Sequence, residues 1–314
     1  MTGRFISTHS VLLSLPLHID RLPERGASVR ADTATSTPGG GFTTLSTVSA
    51  QGVHAALASP LGTGPNSFTV RQQLIDAGVE ILTDELVGDI GVAVLLVEAD
   101  GSTTSIVTSG VESEPSRQAL DSIPLVPGDV IHIAGADLTS QVGAEVLASW
   151  GAELPDSVTL VVAVSPAVDE VPVWAWGSLL RRADVLTMNI REAALLGRAL
   201  TDAGHGTGIR DVLRPDAAMV RRLGVMGCEV QVSQGEPRVQ IPAFTSEVVD
   251  TTGVGDTHVA TMCAALLQGF DLVEACRRAN AASAVTISHE SALPVPTSEQ
   301  VQRVLEVGRV TYSY

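Results

Sequence analysis

Apolar and polar positions alternate along this chain in two rhythms. From Val130 onward, short apolar runs of strand length alternate with longer segments of helical spacing. Val130–Ile133, Val158–Val164 and Asp184–Met188 read as strands, and Val142–Trp150, Trp174–Arg182 and Asn189–Leu200 as helices. Such alternation predicts a mostly parallel sheet covered on both faces. The earlier part differs. Arg4–Leu15, with its apolar run Val11-Leu12-Leu13, predicts a first strand, while His18–Thr37 is polar and turn-rich and predicts an exposed flap. Pro38-Gly39-Gly40-Gly41-Phe42 then opens a small-residue helix over Thr43–Gln51, and Gly62–Phe68 precedes a helix over Val70–Gly78. Ile90–Val97 and Thr103–Thr108 predict paired strands joined by a tight turn at Asp100-Gly101. Thr201–Asp216 reads as a surface loop or short helix. Beyond it, Val239–Val249 has strand character, and Val259–Leu267 and Cys276–Val285 read as helices.

Composition narrows the class. Of the 314 residues 45% are hydrophobic and mean hydropathy is +0.27, enough for a large core in one α/β domain or two smaller ones. No apolar run approaches the roughly 18 residues of a membrane span, and the first residues lack a signal peptide's apolar region, so a cytoplasmic protein is expected. The net charge is −16 and all 19 basic residues are Arg. An acidic surface without a basic cluster disfavours nucleic acid and anionic membrane as partners. A phosphorylated ligand would be held by backbone dipoles, a metal ion and an Arg or two, since no Lys exists to serve a Walker-type loop. Cys228, Cys263 and Cys276 show no metal-ligand spacing; Cys263 and Cys276 lie in segments that suit reduced core thiols.

The chemistry concentrates in Val249-Asp250-Thr251-Thr252-Gly253-Val254-Gly255-Asp256-Thr257-His258. A glycine turn feeding a helix leaves N–H groups without internal partners, and with the helix dipole these form an anion site. A carboxylate there repels a phosphate, so Asp256 suits a base that takes a proton from a hydroxyl attacking that phosphate. The plainer alternative is a helix cap. Asn189-Ile190-Arg191-Glu192 lies at a strand end opening a helix, where α/β proteins bind ligands, and reads as a capping box.

Asp250-Thr251-Thr252-Gly253-Val254-Gly255-Asp256 resembles the D-T-x-G-A-G-D signature of the ribokinase-like (PfkB) carbohydrate kinases, with Val254 for the usual Ala and His258 where Phe is common. The resemblance implies a single ribokinase-like domain over residues 1–314. Its fold would be a three-layer α/β/α sandwich with a central, mostly parallel sheet and a small β-sheet lid from about 14–37 and 89–110. It implies ATP-dependent phosphorylation of a hydroxyl on a sugar or sugar-like molecule. Asp256 would be the base, and Gly253, Val254 and Gly255 the anion hole. Asn189 and Glu192 would organise Mg²⁺. Asn189, Arg222, Gly224, Gly227, Thr251 and Asn280 would lie at the nucleotide. Ser14, Gly39, Gly40, Gly41 and Thr44, with Asp256, would lie at the acceptor. A monovalent cation near Asp250 and Thr252 and a homodimer through the lid are further implications.

The resemblance is uneven. Arg222 stands where the family's T-L-G-x-x-G has Thr. The early substrate-binding Asp falls near Ser14, the Asn after the glycine pair falls at Thr43 or Thr44, and the family's G-D-D-x-F-G reads Gly64-Pro65-Asn66-Ser67-Phe68-Thr69. The Asp common after the central strand is replaced around Ser165-Pro166. Sugar hydroxyls are usually gripped by carboxylates and amides that accept and donate in pairs, so these losses touch the acceptor site and not the phosphoryl-transfer machinery. A non-catalytic sugar- or nucleotide-binding protein on the same scaffold is the alternative, but it has no use for Asp256. A nicotinamide dehydrogenase would need G-x-G-x-x-G after the first strand, which is absent.

Overall fold

The computed structural model describes residues 3–98, 103–289 and 294–310, so the Asp100-Gly101 turn lies outside the described residues. The strands in chain order are β1 (Phe5–Ser7), β2 (Val11–Ile19), β3 (Thr33–Ala34), β4 (Thr37–Gly40), β5 (Ala55–Leu57), β6 (Glu80–Ile81), β7 (Val92–Glu98), β8 (Thr103–Val107), β9 (Val130–Ala134), β10 (Thr159–Ala163), β11 (Val185–Asn189), β12 (Ala218–Arg222), β13 (Cys228–Gln231) and β14 (Val239–Ile241). The helices are α1 (Phe42–Ala50), α2 (Pro65–Asp76), α3 (Arg117–Asp121), α4 (Gln141–Ala152), α5 (Val173–Leu180), α6 (Ile190–Asp202), α7 (Val254–Leu267), α8 (Leu272–Thr286) and α9 (Ser298–Val307).

Nine strands form the main sheet in the order β14-β13-β12-β11-β10-β9-β1-β5-β6. The run from β12 to β6 is parallel, and β13 and β14 add antiparallel at one edge. Side chains alternate across a strand, so a two-sided apolar run feeds two cores. Ile6, Ile131, Ile133, Leu160, Val162 and Leu186 pack with α4, α5 and α6 residues such as Leu147, Trp176 and Leu196. Phe5, Val130, Val161, Val185 and Val220 pack with residues of α1, α2, α7 and α8 such as Leu45, Leu74, Met262 and Ala279. The expected α/β/α layering is what this periodicity builds.

A second sheet, β3-β2-β7-β8 with β4 also on β2, stands apart from the first. The expected single strand over Arg4–Leu15 is in fact two. β1 belongs to the main sheet and β2 to the small one, with the polar Thr8-His9-Ser10 between them. The turn is held open because the His9 N–H donates to Ser7 Oγ (3.1 Å) and the Ser10 N–H to Asp137 Oδ1 (3.1 Å). Two carboxylates, one buried and one half-buried, secure the elements below the small sheet. Glu112 accepts the Gly91 and Gly110 N–H groups at 2.8 and 2.9 Å. Asp89 accepts the Asn66 and Ser67 N–H groups at 3.0 and 2.7 Å, so α2 starts at Pro65, five residues before the expected Val70. The expected strand Val239–Val249 stops at Ile241, because Pro242 has no N–H for the ladder. Among the described residues no helix is long and apolar enough to cross a membrane.

Candidate active site

Five parallel strands, β1, β9, β10, β11 and β12, point their C-terminal ends at one cavity of about 930 Å³, where open α/β sheets bind ligands. His9 follows β1, Ala134 and Ala136 come from the end of β9, Ser165 and Pro166 follow β10, Asn189 ends β11 and Arg222 ends β12. The start of α7 closes the cavity. Gly253 caps that helix in the left-handed conformation (φ 70°), which a residue with a Cβ adopts only at a cost. The first bond back to the cap runs from Thr257 N–H to Gly253 O (2.9 Å). Among the described residues no acceptor meets the N–H groups of Gly253, Gly255 and Asp256. These orphan donors, with the helix dipole behind them, face a cavity that can hold an anion.

Asp256 lines the same cavity. Burial raises the proton affinity of its carboxyl, and the charges of His9 and Arg222 pull it partly back. The Arg222 guanidinium lies against the turn: a Cβ on Gly255 would stand 3.7 Å from its central carbon. Its other face meets Glu192, with Nη2 3.1 Å from Oε2.

Asn189 and Glu192 form a complete capping box. Glu192 N–H donates to Asn189 Oδ1 (2.8 Å) and Asn189 N–H to Glu192 Oε2 (2.7 Å), while the Asn189 amide donates to Oε1 (2.8 Å). The capping reading is therefore realised, and Arg222 adds an ion pair that the sequence does not announce. Oε2 is saturated by two donors, whereas Oε1 holds one and keeps a lone pair at the cavity. That donor set fits a hydrated divalent ion held through its waters, not a direct cage. Among the described residues no group of three or more His, Cys, Asp or Glu could hold a metal alone.

The remaining nucleotide-side candidates gather here as well. Gly224, Gly227, Thr251 and Asn280 line the cavity. Gly227 (φ 89°) has no room for a side chain, since a Cβ would meet Ile241 O at 2.1 Å. The Asn280 amide donates to the carbonyls of Ile241 and Pro242 at 3.0 and 3.1 Å, and so secures the wall. Asp250 Oδ1 accepts both the N–H and the hydroxyl of Thr252, closing a small turn.

Apart from Asp256, the acceptor-side candidates do not join this cavity. Ser14 lies on β2 opposite Thr37, Thr44 is fully buried in α1, and Gly39 and Gly40 lie on β4. Gly40 and Gly41 press on the chain itself: a Cβ at either would stand 2.3 Å from the Ser10 or His9 carbonyl, and Gly41 N–H donates to Ser10 O. Sequence reasoning assigned no site role to His9, His132 and His258, all cavity-lining. His258 is buried beside Cys228, and Cys228, Cys263 and Cys276 are free and buried. His9 Nδ1 pairs with Asp137 Oδ2 at 3.0 Å across 128 positions of sequence, a link that no local spacing could reveal.

Comparison with known proteins agrees with this arrangement. The family model for pfkB family carbohydrate kinases matches residues 14–298. The uncharacterised sugar kinase YegV of Escherichia coli K12 is 29% identical over 252 residues, covering 80% of this chain and 77% of that protein. The ribokinase of Arabidopsis thaliana is 25% identical, covering 92% of this chain and 78% of that protein. Among solved structures, the Thermotoga maritima ribokinase superimposes with a TM-score of 0.80 at 18% identity, covering 98% of this chain and 100% of that one. The Arabidopsis thaliana ribokinase complexed with ribose and ATP superimposes with a TM-score of 0.77 at 20% identity, covering 98% and 99%. The fold is that of the ribokinases, and the chain belongs to the pfkB family of carbohydrate kinases, phosphotransferases with an alcohol acceptor.

Proposed function

We propose that this cavity transfers the γ-phosphoryl group of ATP to a hydroxyl of a sugar or sugar-like acceptor, with Asp256 as base. The observation that carries the reading is the meeting of three orphan N–H groups with a half-buried carboxylate of raised proton affinity at the start of α7. Asp256 takes the hydroxyl proton as the acceptor oxygen bonds to the γ-phosphorus. The bond from that phosphorus to the bridging oxygen breaks, and ADP leaves. The turn Gly253-Val254-Gly255 stabilises charge on the transferring group, with Arg222 behind it. Asn189, Gly224, Gly227, Thr251 and Asn280 border the nucleotide. Bound Mg²⁺ would neutralise phosphate charge, and Glu192 with Asn189 would hold its waters. A screen of ATP consumption across sugars, sugar acids, polyols and nucleosides tests the reading; failure of every acceptor would count against it.

Glu192→Gln is expected to raise the Mg²⁺ concentration needed for half-maximal rate. It also takes the charge from a buried partner of Arg222, so some stability is lost too. An unchanged Mg²⁺ requirement alongside that loss would leave Glu192 a cap and ion-pair partner only.

The small sheet is proposed to cover the acceptor, with Ser14, Gly39 and Gly40 on its strands and Gly41 and Thr44 at the start of α1 next to it. It leaves Ile106 and Val107 of β8 58% and 61% exposed. An unpaired edge with such residues invites a second copy, so a homodimer through this sheet is proposed. Sedimentation at micromolar concentration should give a dimer, and Ile106→Glu a monomer; a wild-type monomer sinks the interface. A cytoplasmic location and a monovalent cation beside Asp250 and Thr252 complete the proposal.

A further inference from the structure

We infer that His9 is an acceptor-binding cation, and that the acceptor carries a carboxylate near the hydroxyl that Asp256 deprotonates. The inference rests on the kinase reading and deepens it.

His9 follows β1 at the C-terminal edge of the sheet and lines the cavity with Asp256. Its ring is fixed from two sides. Nδ1 bonds to Asp137 Oδ2 (3.0 Å), and the other oxygen of Asp137 takes the neighbouring Ser10 N–H (3.1 Å). Gly41 lets the chain pack directly on His9, since a Cβ there would meet the His9 carbonyl at 2.3 Å. With Nδ1 committed, Nε2 is the ring nitrogen left for a ligand, and no protein group among the described residues takes it. Burial opposes the charge of His9, but the charge and hydrogen bond of Asp137, with the charge of Asp256, outweigh it and raise the imidazole to about 9. His132, on the neighbouring strand, stands edge-on to His9 at 6.3 Å between ring centroids, and is pushed down to about 3 by burial and by His9. Its Nδ1 meets Ser7 Oγ and its Nε2 is buried with no partner among the described residues, so it serves as a neutral floor.

The rest of this end is short of acceptors. Ala134, Ala136, Ala163 and Pro166 line it without polar side chains. Asp137, Ser14, Asn66 and Ser67 do not line it, and Ser165, which does, has its hydroxyl oxygen on the Ala167 N–H (3.1 Å). Vicinal hydroxyls bring protons as well as lone pairs and need acceptors to receive them. A fixed imidazolium offers a charged donor only, and its complement is an oxygen that carries charge and no proton. A carboxylate meets that description.

The test compares D-gluconate, D-galactonate and D-glycerate with D-glucose, D-galactose and glycerol as acceptors with ATP and Mg²⁺, in wild type and His9→Gln. An acid should be the better acceptor. His9→Gln should raise its KM roughly 10- to 100-fold, the worth of a charge-assisted hydrogen bond, with a smaller change in kcat. The titratable groups facing His9 are Asp137, His132 and Asp256. Asp137 is held ionised and His132 neutral around neutrality, so wild-type affinity for the acid should hold at neutral pH and fall as pH rises through about 9. In His9→Gln that alkaline fall should be gone. Better turnover of the neutral sugars, with KM untouched by His9→Gln, would overturn the inference. Calorimetric titration of the acids separates it from the kinase reading. Acid binding that is lost in His9→Gln without ATP consumption would uphold the anion site and sink the kinase; no binding of any acid would sink the anion site.

Discussion

Asp256→Asn should leave the chain folded and able to bind ATP while lowering kcat by roughly 10²- to 10⁴-fold, the usual loss when acid–base help is removed. The amide keeps nearly the same shape, and the orphan donors of α7 belong to the backbone, so the anion site survives the substitution. What disappears is a group that can accept a proton. Burial raises the proton affinity of Asp256, and His9 and Arg222 restrain that rise. The acidic limb of the kcat/KM profile should therefore lie above the range of an exposed aspartate, with activity falling as pH drops through it. In Asp256→Asn this limb should vanish with the rate. A variant that kept wild-type turnover, or kept the acidic limb, would move the base elsewhere.

The parts of this site that were legible in the sequence are those built from neighbours in the chain. The turn Gly253 to Gly255 and Asp256 share one helix start, and Asn189 and Glu192 share one capping box, so spacing alone places them. The alternation after Val130 was equally legible, because each strand of a two-sided parallel sheet is a short, mostly apolar run. What escaped depends on partners far apart. Asp89 caps α2 from 22 positions away, and Asp137 fixes His9 from 128. The break between β1 and β2 was hidden for another reason. Both strands are apolar and only Thr8-His9-Ser10 parts them, so the stretch passes for one strand until the two sheets are seen to diverge at His9. The Arg222–Glu192 pair belongs with these long-range links, being brought together only when β12 lies beside β11.

Arg222 carries the second large effect, on stability. Its side chain and that of Glu192 are 17% and 4% exposed, and their nitrogen and oxygen lie 3.1 Å apart. Removing one member of a buried pair strands the other's charge, at a cost of about 3–5 kcal/mol. Arg222→Leu should lower the free energy of unfolding by that order, read from urea denaturation. The double variant Arg222→Leu/Glu192→Gln should recover much of it: no charge is stranded, and the Gln oxygen can still accept the Asn189 N–H and keep the cap. Full additivity of the two single losses would mean that the pair does not couple, and that Arg222 stabilises only through its packing on Gly255. The recovered double variant should still be a poor kinase. It has regained its fold, but neither the guanidinium beneath the glycine turn nor the carboxylate at the metal waters has returned.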